Sequence, residues 1–381
     1  MTTSPAKVGI IGAGKISGIY LENSKKFNAF DVVAIADVRL EGAQARATEY
    51  GIPEALSVED LLAHPDVETI INLTPHRVHG PVGSTIVEAG KNAYSEKPLA
   101  VHREEGERLL AAAKARGVRV GGAPDTFFGG AWQTARALID EGVIGEPLGA
   151  FANLHTRTLP RPAGATPPSS QSVNQPGYTS FYATESFEYG GGAIFDRGPY
   201  YLNALISLLG PVRRVTGSAQ KTWPEREQGG RTLEVKVPTH VVGVLDFANG
   251  AVCNFTMSND VLATNLPHIE IYGTEGSLRC IDPNEFTGDL YVRTLTNPEM
   301  TAVPPRFGYN GNSRGVGVAD LSAAIRSGRP HRASGEMAYH VVDIITSIFD
   351  ASESGQAVEL ASTCAQPAPL PRGLEDWQID A

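Results

Sequence analysis

The first third of the chain alternates short apolar runs with longer segments in which apolar residues recur at helical spacing. The short runs have the β-branched character of strands, and amphipathic stretches such as REEGERLLAAAKARG separate them. Between Lys7 and about Gly122 the runs read KVGII, DVVAIA, TIINL, NAYSE and VRVGG. Strands that alternate with helices in this way are typical of a parallel, doubly wound sheet.

The pattern changes after a further predicted helix at about 132–141. Alternating apolar runs, HVVGVLDF and AVCNFTMS, flank the Asn-Gly pair at 249–250, and PHIEIYG and GSLRCI flank the Thr-Glu pair at 274–275. An Asn-Gly pair between such runs is the strongest short signal of a β-hairpin. The second half of the chain therefore predicts an antiparallel sheet, closed by two helices at about 314–327 and 335–351.

A chain of 381 residues is longer than one hydrophobic core usually grows, so we expect two domains. We predict a doubly wound α/β domain over 1–125, an α+β domain with a large, open and mainly antiparallel sheet over 126–365, and a C-terminal tail over 366–381. The stretch RTLPRPAGATPPSSQSVNQPGYTS, between residues 156 and 184, has no helical or strand period. Long loops in compact domains are often lids or binding loops, and a surface insertion is the alternative.

Composition and charge exclude several classes of protein. With 41% hydrophobic and 19% charged residues, the chain resembles an ordinary globular protein. A formal net charge of -10 argues against a nucleic-acid partner, which normally meets a basic face. No apolar stretch approaches membrane-spanning length. The three cysteines lie far apart and fit neither a disulfide framework nor a zinc site, so we predict a cytoplasmic protein without a metal centre.

The stretch VGIIGAGKISG combines a strand with two closely spaced glycines. A strand that ends at Gly12, with Gly14 two residues on and a helix opening after it, lets the backbone approach a pyrophosphate without a Cβ in the way. The helix start, with Lys15 and Ile16, then offers N–H groups to the anion. A second strand ends at Asp37, where a carboxylate can accept hydrogen bonds from the adenosine ribose. A glycine turn that only lets strand and helix pack is the alternative.

Two positions near this turn bear on the choice of cofactor. Ser17 stands where a third glycine is usual, and its side chain is small enough for close packing of helix and strand. The Asp37 carboxylate would repel a 2′-phosphate, which favours NAD. Arg39 could still reach such a phosphate, so NADP stays open.

Three further stretches carry a resemblance to a known family. They read NLTPHRVH at 72–79, SEKPL at 95–99 and GGGAIFDRGPYYLNALISLLG at 190–210. Together with the glycine turn, they resemble the glucose-fructose oxidoreductase, inositol dehydrogenase and rhizopine catabolism family (Gfo/Idh/MocA). The resemblance implies a Rossmann domain, an α+β domain whose open sheet joins subunits into a homodimer or homotetramer, and an active site between the domains. It also implies a nicotinamide cofactor and a sugar, inositol or other polyol as substrate.

Polar residues follow two neighbouring predicted strands at the sheet edge where doubly wound folds bind ligands. Pro98 disfavours a helical conformation at Lys97, and we expect the ammonium of Lys97 to point into the cleft. For His79, a role at the start of the next helix is as good an interpretation as contact with the cofactor. The cofactor candidates beyond these two strands are Asn72, Thr74, Pro75, His76, His79, Glu96 and Lys97.

Oxidation of a secondary alcohol requires a group that accepts the hydroxyl proton. The family usually supplies a histidine in an Asp-x-Gly-x-His arrangement, and here the run reads DRGPY, with Tyr200 in that place. A phenol, with a pKa near 10, is a poorer base at neutral pH than an imidazole. We therefore predict that Tyr200 exchanges the proton beside Lys97, and that Asp196 orients the substrate or Lys97. Plain packing of Tyr200 in a helix that begins at Pro199 is the alternative.

Residues of the predicted second domain would recognise the substrate, because hydroxyl-rich ligands need polar groups beside flat apolar surfaces. Asp125 and Phe127, just past the last parallel strand, could instead border the nicotinamide. The substrate candidates are His155, Arg157, Tyr182, Tyr189, Asp196, Tyr309 and Asn310.

These features favour an NAD(P)-dependent dehydrogenase or reductase that acts on a secondary hydroxyl or carbonyl of a sugar, sugar derivative or cyclic polyol. One competing hypothesis is a glycoside-cleaving enzyme that uses NAD only transiently. Another is a non-catalytic sensor that binds NAD and a protein partner.

Overall fold

The computed structural model describes residues 4–156, 187–188, 192–228 and 231–380. It confirms the predicted combination of a parallel α/β sheet with a larger, mainly antiparallel sheet. Three of the predicted substrate residues, Arg157, Tyr182 and Tyr189, lie outside the described residues, as does almost all of the predicted loop.

The first sheet has six parallel strands in the order β3-β2-β1-β4-β5-β6. Its strands are β1 (Ala6–Ile11), β2 (Phe30–Ala36), β3 (Glu54–Leu56), β4 (Thr69–Asn72), β5 (Asn92–Ser95) and β6 (Val120–Gly122). The sequence pattern missed β3, because three half-exposed residues carry no apolar run. The strand order reverses between β1 and β4, and ligands of such sheets bind in the crevice at that point.

Five helices connect these strands, as the predicted crossovers require. They are α1 (Ser17–Ser24), α2 (Leu40–Tyr50), α3 (Val58–Ala63), α4 (His79–Glu88) and α5 (Arg103–Arg116). Both α2 and α5 end at a glycine in the left-handed conformation, Gly51 and Gly117, where a Cβ would be strained. The buried residues of β1 and β4 include Val8, Ile10 and Ile71, so the centre of this sheet is covered on both faces.

The second sheet has nine strands in the order β16-β15-β14-β13-β7-β12-β11-β8-β17. Neighbouring strands are antiparallel except β7 and β12, and both predicted hairpins are present. The strands are β7 (Pro147–His155), β8 (Val212–Gln220), β11 (His240–Phe247), β12 (Val252–Ser258), β13 (Ile269–Gly273), β14 (Gly276–Cys280), β15 (Leu290–Thr294), β16 (Thr301–Val303) and β17 (Val358–Glu359). A separate pair is formed by β9 (Glu225–Gln228) and β10 (Arg231–Glu234).

Helices cover one face of this sheet and leave the other open. The covering helices are α6 (Gly130–Asp140), α7 (Gly192–Asp196), α8 (Gly198–Leu209) and α10 (Gly335–Ser354). Along β11, Val241 and Leu245 are buried, whereas Val242 and Val244 are exposed. The alternation shows which side of each strand faces the core. Among the described helices, none is both long and apolar enough to cross a membrane.

The chain then returns to the first sheet through α9 (Val316–Ser327), which packs beside β2 and β6. A Cβ at Gly317 would lie 2.2 Å from the Tyr94 hydroxyl, so this contact requires glycine. The backbone N–H of Gly122 donates to the Ala333 carbonyl over 3.1 Å. Residues beyond 314, which the sequence assigned to the second domain, thus pack on the first sheet as well. The boundaries 1–125, 126–365 and 366–381 stay a prediction.

The predicted C-terminal tail packs against elements of both halves of the molecule. Leu370 N donates to Gln133 Oε1 on α6 over 2.7 Å. Further along, the Trp377 ring meets Phe27 edge-on at 5.1 Å between centroids, next to α1. The Asp380 carboxylate pairs with Arg332 at 2.7 Å. The tail therefore contacts both α6 and the residues that follow α1 beside the first sheet.

Candidate active site

The glycine turn at the end of β1 has the geometry that a bound pyrophosphate needs. Gly12 has a φ of 111°, and a Cβ there would lie 2.6 Å from the Leu73 carbonyl oxygen. Among the described residues, no atom beyond Gly14 and its two chain neighbours lies within 4 Å of where a Cβ of Gly14 would be, so a ligand can approach its backbone. The Ser17 hydroxyl donates to the Gly14 carbonyl over 2.7 Å. Ser17 therefore closes the turn by a hydrogen bond at the place of the usual third glycine.

Asp37 lies directly after β2 and beside this turn. Its Oδ2 accepts from Ala13 N over 2.8 Å, and its Oδ1 accepts from Arg39 N over 2.9 Å. The carboxylate is thus held at the turn with lone pairs left for ribose hydroxyls. Lys15 and Ile16 are exposed at the same turn. These residues fit the adenosine and pyrophosphate portions of a nicotinamide dinucleotide.

Asn72 and His79 hold the ends of β4 and β5 together. Asn72 Nδ2 donates to the His79 carbonyl over 3.0 Å, and its Oδ1 accepts from the Thr74 hydroxyl over 2.6 Å. The His79 ring is buried, with Nδ1 2.7 Å from the Pro98 carbonyl and Nε2 2.6 Å from that of Thr74. Burial lowers the pKa of His79. With both ring nitrogens in contact with backbone oxygens, the geometry favours the structural interpretation of His79.

His76 has a different environment in the turn that follows β4. Burial, followed by the charge of Lys97, lowers the pKa of His76 to about 3. The imidazole is therefore neutral at physiological pH. Its Nδ1 is buried and has no hydrogen-bond partner among the described residues. His76 thus offers a ligand a neutral ring nitrogen in the cleft, beside the half-buried Thr74 and Pro75.

In the turn after β5, the side chain of Glu96 binds the backbone of Lys97. Glu96 is buried, and its Oε1 accepts from the Tyr20 hydroxyl of α1 over 2.9 Å. Its Oε2 accepts from Lys97 N over 3.0 Å. The Lys97–Pro98 peptide bond is cis. Glu96 is therefore engaged by the protein itself, and it orients the backbone at Lys97.

Lys97 connects the two halves of the site. Its Nζ lies 2.7 Å from Asp196 Oδ1 and 2.8 Å from the Asp196 carbonyl oxygen, at the end of α7. The same nitrogen lies 5.3 Å from the centroid of the Tyr200 ring, in the first turn of α8. Burial alone would lower the pKa of Lys97, but Asp196, Tyr200 and Glu96 together outweigh it and the pKa is raised. Lys97 is therefore a cation held between the α/β half and the helices of the second half.

Two arginines that sequence reasoning did not identify flank Tyr200. The Arg197 guanidinium lies 5.8 Å from the Tyr200 ring centroid. Arg314, from the segment before α9, donates to Asn312 Oδ1 over 2.9 Å and to Asn284 Oδ1 over 2.7 Å. Burial alone would lower the pKa of Arg314, but the nearby Tyr200, Asp125 and Glu96 raise it. Arg197 stands inside the recognised DRGPY run, so a test of every charged residue in that run would have found it. Arg314 carries no local signal, because the predicted helix pattern simply included it.

Three of the predicted positions, Tyr309, Asp125 and Phe127, lie in the core of the structure instead of the cleft. Tyr309 is fully buried, and its hydroxyl donates to the Gln378 carbonyl. Asp125 is also buried, and its Oδ2 accepts from Gly315 N and Gly317 N over 2.9 and 3.1 Å. Phe127 packs beside Phe128 in the core. Each of these side chains satisfies a backbone group or fills the interior, so none presents a free surface to a ligand.

Two other substrate candidates lie at the surface of the second half. His155, at the end of β7, is half-buried and its Nδ1 lies 2.9 Å from Asn153 Oδ1. Burial, then the neighbouring His240, lowers the pKa of His155. Asn310 is exposed, and its Nδ2 donates to the Phe307 carbonyl over 2.7 Å. A role in substrate binding remains a prediction for both.

A doubly wound domain with a pyrophosphate turn, joined to a second domain that brings Asp196 and Tyr200 to Lys97, defines a dinucleotide-dependent oxidoreductase. The comparisons with known families agree. Residues 6–122 match the oxidoreductase family with an NAD-binding Rossmann fold, and residues 132–279 match the GFO/IDH/MocA C-terminal domain. The chain belongs to the Gfo/Idh/MocA family of oxidoreductases, and its residues 6–122 form the NAD-binding Rossmann domain of that family.

Named relatives extend over most of the chain. The 1,5-anhydro-D-fructose reductase of Ensifer adhaerens is 26% identical over 92% of this chain and 98% of its own length. The trans-1,2-dihydrobenzene-1,2-diol dehydrogenase of Xenopus tropicalis is 36% identical over 72% of this chain and 74% of its own. A structure of levoglucosan dehydrogenase in complex with NADH and L-sorbose superimposes with a TM-score of 0.77 at 22% identity, covering 94% of this chain and all of that one. At that identity, the superposition shows a shared fold.

Proposed function

We propose that this protein transfers a hydride between NAD and a carbon that carries a secondary hydroxyl or carbonyl in a sugar, sugar derivative or cyclic polyol. The observation that carries the proposal is the Lys97 ammonium, 2.7 Å from Asp196 and 5.3 Å from the Tyr200 ring, at the ligand-binding edge of the first sheet. The names of the relatives support it, since two of them act on anhydrosugars.

Each residue of this group has a distinct task. Lys97 donates a hydrogen bond to the reacting oxygen and stabilises the negative charge that develops there. Asp196 holds the ammonium in place, because two of its oxygens lie within 2.8 Å of Nζ. Tyr200 takes the hydroxyl proton as the phenolate on oxidation, and as the phenol it returns the proton on reduction. When bound, NAD supplies the carbon that accepts the hydride.

NAD is favoured over NADP by the position of Asp37. Both carboxylate oxygens already accept backbone N–H groups at the glycine turn, so the negative charge cannot swing away. A 2′-phosphate on the ribose would meet this charge. The Arg39 side chain is exposed beside it, so NADP should be a poorer cofactor rather than an inert one.

A panel of sugars and polyols, each with NAD and with NADP, tests the activity by the absorbance of the reduced nicotinamide. We expect stoichiometric NADH from at least one compound. Glycosidic bond cleavage without net NADH would instead identify a hydrolase that uses NAD transiently. NAD binding with no turnover of any compound would favour a sensor.

The open face of the second sheet is the proposed subunit interface. It exposes the apolar side chains of Val242 and Val244 on β11, of Tyr272 on β13 and of Tyr291 on β15. Apolar side chains exposed on one sheet face favour association, and a homodimer or homotetramer would cover them. Light scattering of the native protein and of Val244→Glu tests this, with a smaller assembly expected for the variant. The buried, unpaired cysteines support the predicted cytoplasmic location.

A further inference from the structure

Helix α1 connects the glycine turn to the turn that carries Lys97. It begins at Ser17, whose hydroxyl donates to the Gly14 carbonyl over 2.7 Å. Tyr20 follows about one helical turn later on the same face, because residues three apart are neighbours on a helix surface. The Tyr20 hydroxyl donates to Oε1 of Glu96 over 2.9 Å, across 76 residues of sequence. One helical turn and one side chain therefore join the glycine turn to Glu96.

The contact between Tyr20 and Glu96 is buried. The relative exposure of the two residues is 2% and 8%. Burial, followed by the Glu96 carboxylate, raises the pKa of Tyr20, so the hydroxyl keeps its proton and donates it to the hydrogen bond. A buried oxygen that loses its donor costs free energy, since water does not replace the donor. The contact therefore holds the Glu96 side chain in one position.

Glu96 passes this constraint to Lys97. Its second oxygen, Oε2, accepts from Lys97 N over 3.0 Å. The backbone N–H of Glu96 donates to the Asn72 carbonyl at the end of β4 over 2.9 Å. The Lys97 backbone is thus bound to Glu96, whereas its ammonium is bound separately by Asp196, 2.7 Å from Nζ. The backbone contact is the one that leads to the glycine turn.

The far end of α1 is anchored as well. Asn23 Nδ2 donates to the carbonyls of Asn312 and Arg314 over 2.8 and 3.0 Å. Just beyond the helix, the Phe27 ring meets Trp377 edge-on, at 5.1 Å between centroids. The helix has eight residues and is therefore only about 12 Å long. Because α1 is short and held at both ends, we expect a change at its first turn to reach the middle of the helix.

We propose that Tyr20 and Glu96 are positioning residues: they couple occupation of the glycine turn to the position of Lys97, so that the lysine is placed for the reaction when the cofactor is bound. The inference rests on the proposed function and adds the residues that transmit cofactor binding. Tyr20 and Glu96 act through Lys97 and do not touch the reacting atoms. A displacement of about 1 Å can cost about 10²-fold in rate, so a small constraint at Lys97 has a measurable effect.

Amide hydrogen exchange tests the coupling without turnover. ADP-ribose is the probe, because it fills the glycine turn but lacks the nicotinamide. In the wild type it should slow exchange of the Lys97 N–H about fivefold or more, and in Tyr20→Phe less than about twofold. The Ala13 N–H, which donates to Asp37 over 2.8 Å, should be slowed in both proteins and reports that the ligand is bound. No slowing at Lys97 in the wild type, or equal slowing in the two proteins, would overturn the proposal.

Steady-state kinetics test the effect on the reaction. Tyr20→Phe keeps the buried ring and should lower kcat/KM about tenfold, less than loss of the ammonium itself, because Lys97 keeps its other anchor. Glu96→Gln, with one acceptor oxygen instead of two, should have a similar effect, and it replaces Tyr20→Phe if that variant does not fold. Tyr339→Phe is the matched control, because the Tyr339 hydroxyl donates to Glu107 Oε1 over 2.8 Å between α10 and α5, which carry none of the candidate site residues. It should lose a similar amount of stability and keep its kcat/KM.

A double-mutant cycle shows whether Tyr20 acts through Lys97. In the Lys97→Met background, Tyr20→Phe should lower the residual kcat/KM less than about twofold. The full tenfold loss in that background would give Tyr20 a separate role and contradict the proposal. Coupling of ADP-ribose to the Lys97 N–H without turnover of any sugar or polyol would remove the proposed function and keep this inference. Turnover with a kcat/KM that Tyr20→Phe leaves unchanged would do the reverse.

Discussion

The cofactor half and the substrate half of the site are built in opposite ways. The cofactor half is local: Gly12, Gly14 and Ser17 form one turn, and Asp37 follows on the neighbouring strand. The substrate half is assembled from distant segments, since Lys97 of the first sheet meets Asp196 and lies beside the Tyr200 ring. A single local turn is enough to form the cofactor half, whereas the substrate half depends on side chains that the fold brings together from distant segments.

The largest effect should come from the residue that joins the halves. Lys97→Met removes the donor to the reacting oxygen and leaves Asp196 without its partner, so we expect kcat/KM to fall about 10³-fold. NAD affinity should change little, as measured by fluorescence titration. Lys91→Met is the control, because Lys91 Nζ donates to the His64 carbonyl over 2.6 Å, away from the cleft. Loss of NAD binding together with turnover would show that Lys97 belongs to the cofactor half.

Tyr200→Phe tests the substrate half alone. Loss of the hydroxyl that exchanges the proton should lower kcat about 10²-fold, with the same expected result in either direction of the reaction. Tyr201→Phe is a matched control on the next residue, because its hydroxyl lies 2.7 Å from His268 Nδ1 instead of in the cleft. Equal kcat values for the wild type and Tyr200→Phe would remove Tyr200 from the mechanism.

Asp125 connects the end of β6 to the segment that carries Arg314, and its effect should appear in stability. Burial raises the pKa of Asp125 to about 6, above about 3.9 in an unfolded chain. The folded state thus holds the proton more tightly, so this contribution to stability is greatest below about pH 4 and is lost as the pH rises to about 6. Two units correspond to about 3 kcal/mol.

The comparison variant is Asp125→Asn, whose amide oxygen can still accept from Gly315 N and Gly317 N. Chemical denaturation at several pH values between about 4 and 7 should show the wild type losing stability relative to the variant. A difference in unfolding free energy that is constant with pH would contradict the assignment.

Asp37→Ser tests the cofactor half alone. Removal of the charge beside the ribose should lower the preference for NAD over NADP about tenfold, measured as the ratio of the two kcat/KM values. Asp31→Asn, at an exposed position of the same strand, should leave the ratio unchanged. An unchanged ratio in Asp37→Ser would mean that Asp37 does not face the ribose.

The smallest effect is expected at Tyr309. Tyr309→Phe removes the hydrogen bond to the Gln378 carbonyl and should cost about 1 kcal/mol of stability. Because the side chain lies in the core, kcat/KM should stay within about twofold of the wild type. A large fall in kcat/KM with unchanged stability would restore Tyr309 as a substrate residue.

Several parts of the fold could be predicted because their signals are local. Apolar runs and their connectors indicated five of the six parallel strands, and the pair at 249–250 indicated the hairpin of β11 and β12. The three-residue strand β3 was missed because so short a segment has no periodicity. The return of α9 to the first sheet depends on the contact of Gly317 with Tyr94, which no local pattern contains.

For the candidate site, too, some residues were predicted correctly from local patterns and others were decided by packing. The chemical types at Lys97, Asp196 and Tyr200 pointed to one cleft, and the structure brings them together. Asp125 and Tyr309 looked equally plausible as polar residues at useful positions, yet both are buried and satisfy groups far along the chain. A polar side chain in a sequence does not show whether it meets a ligand or a backbone N–H.

By itself, the amino-acid sequence determined the two-sheet architecture, the dinucleotide turn and the types of groups available for hydride chemistry. Those properties follow from spacing, glycine conformations and residue chemistry within about thirty residues of each other. The tertiary structure was needed to show that the tail reaches Phe27, that Asp125 binds the N–H groups of Gly315 and Gly317, and that Tyr309 lies in the core. Such contacts arise from packing between segments far apart in the chain, which no local pattern contains.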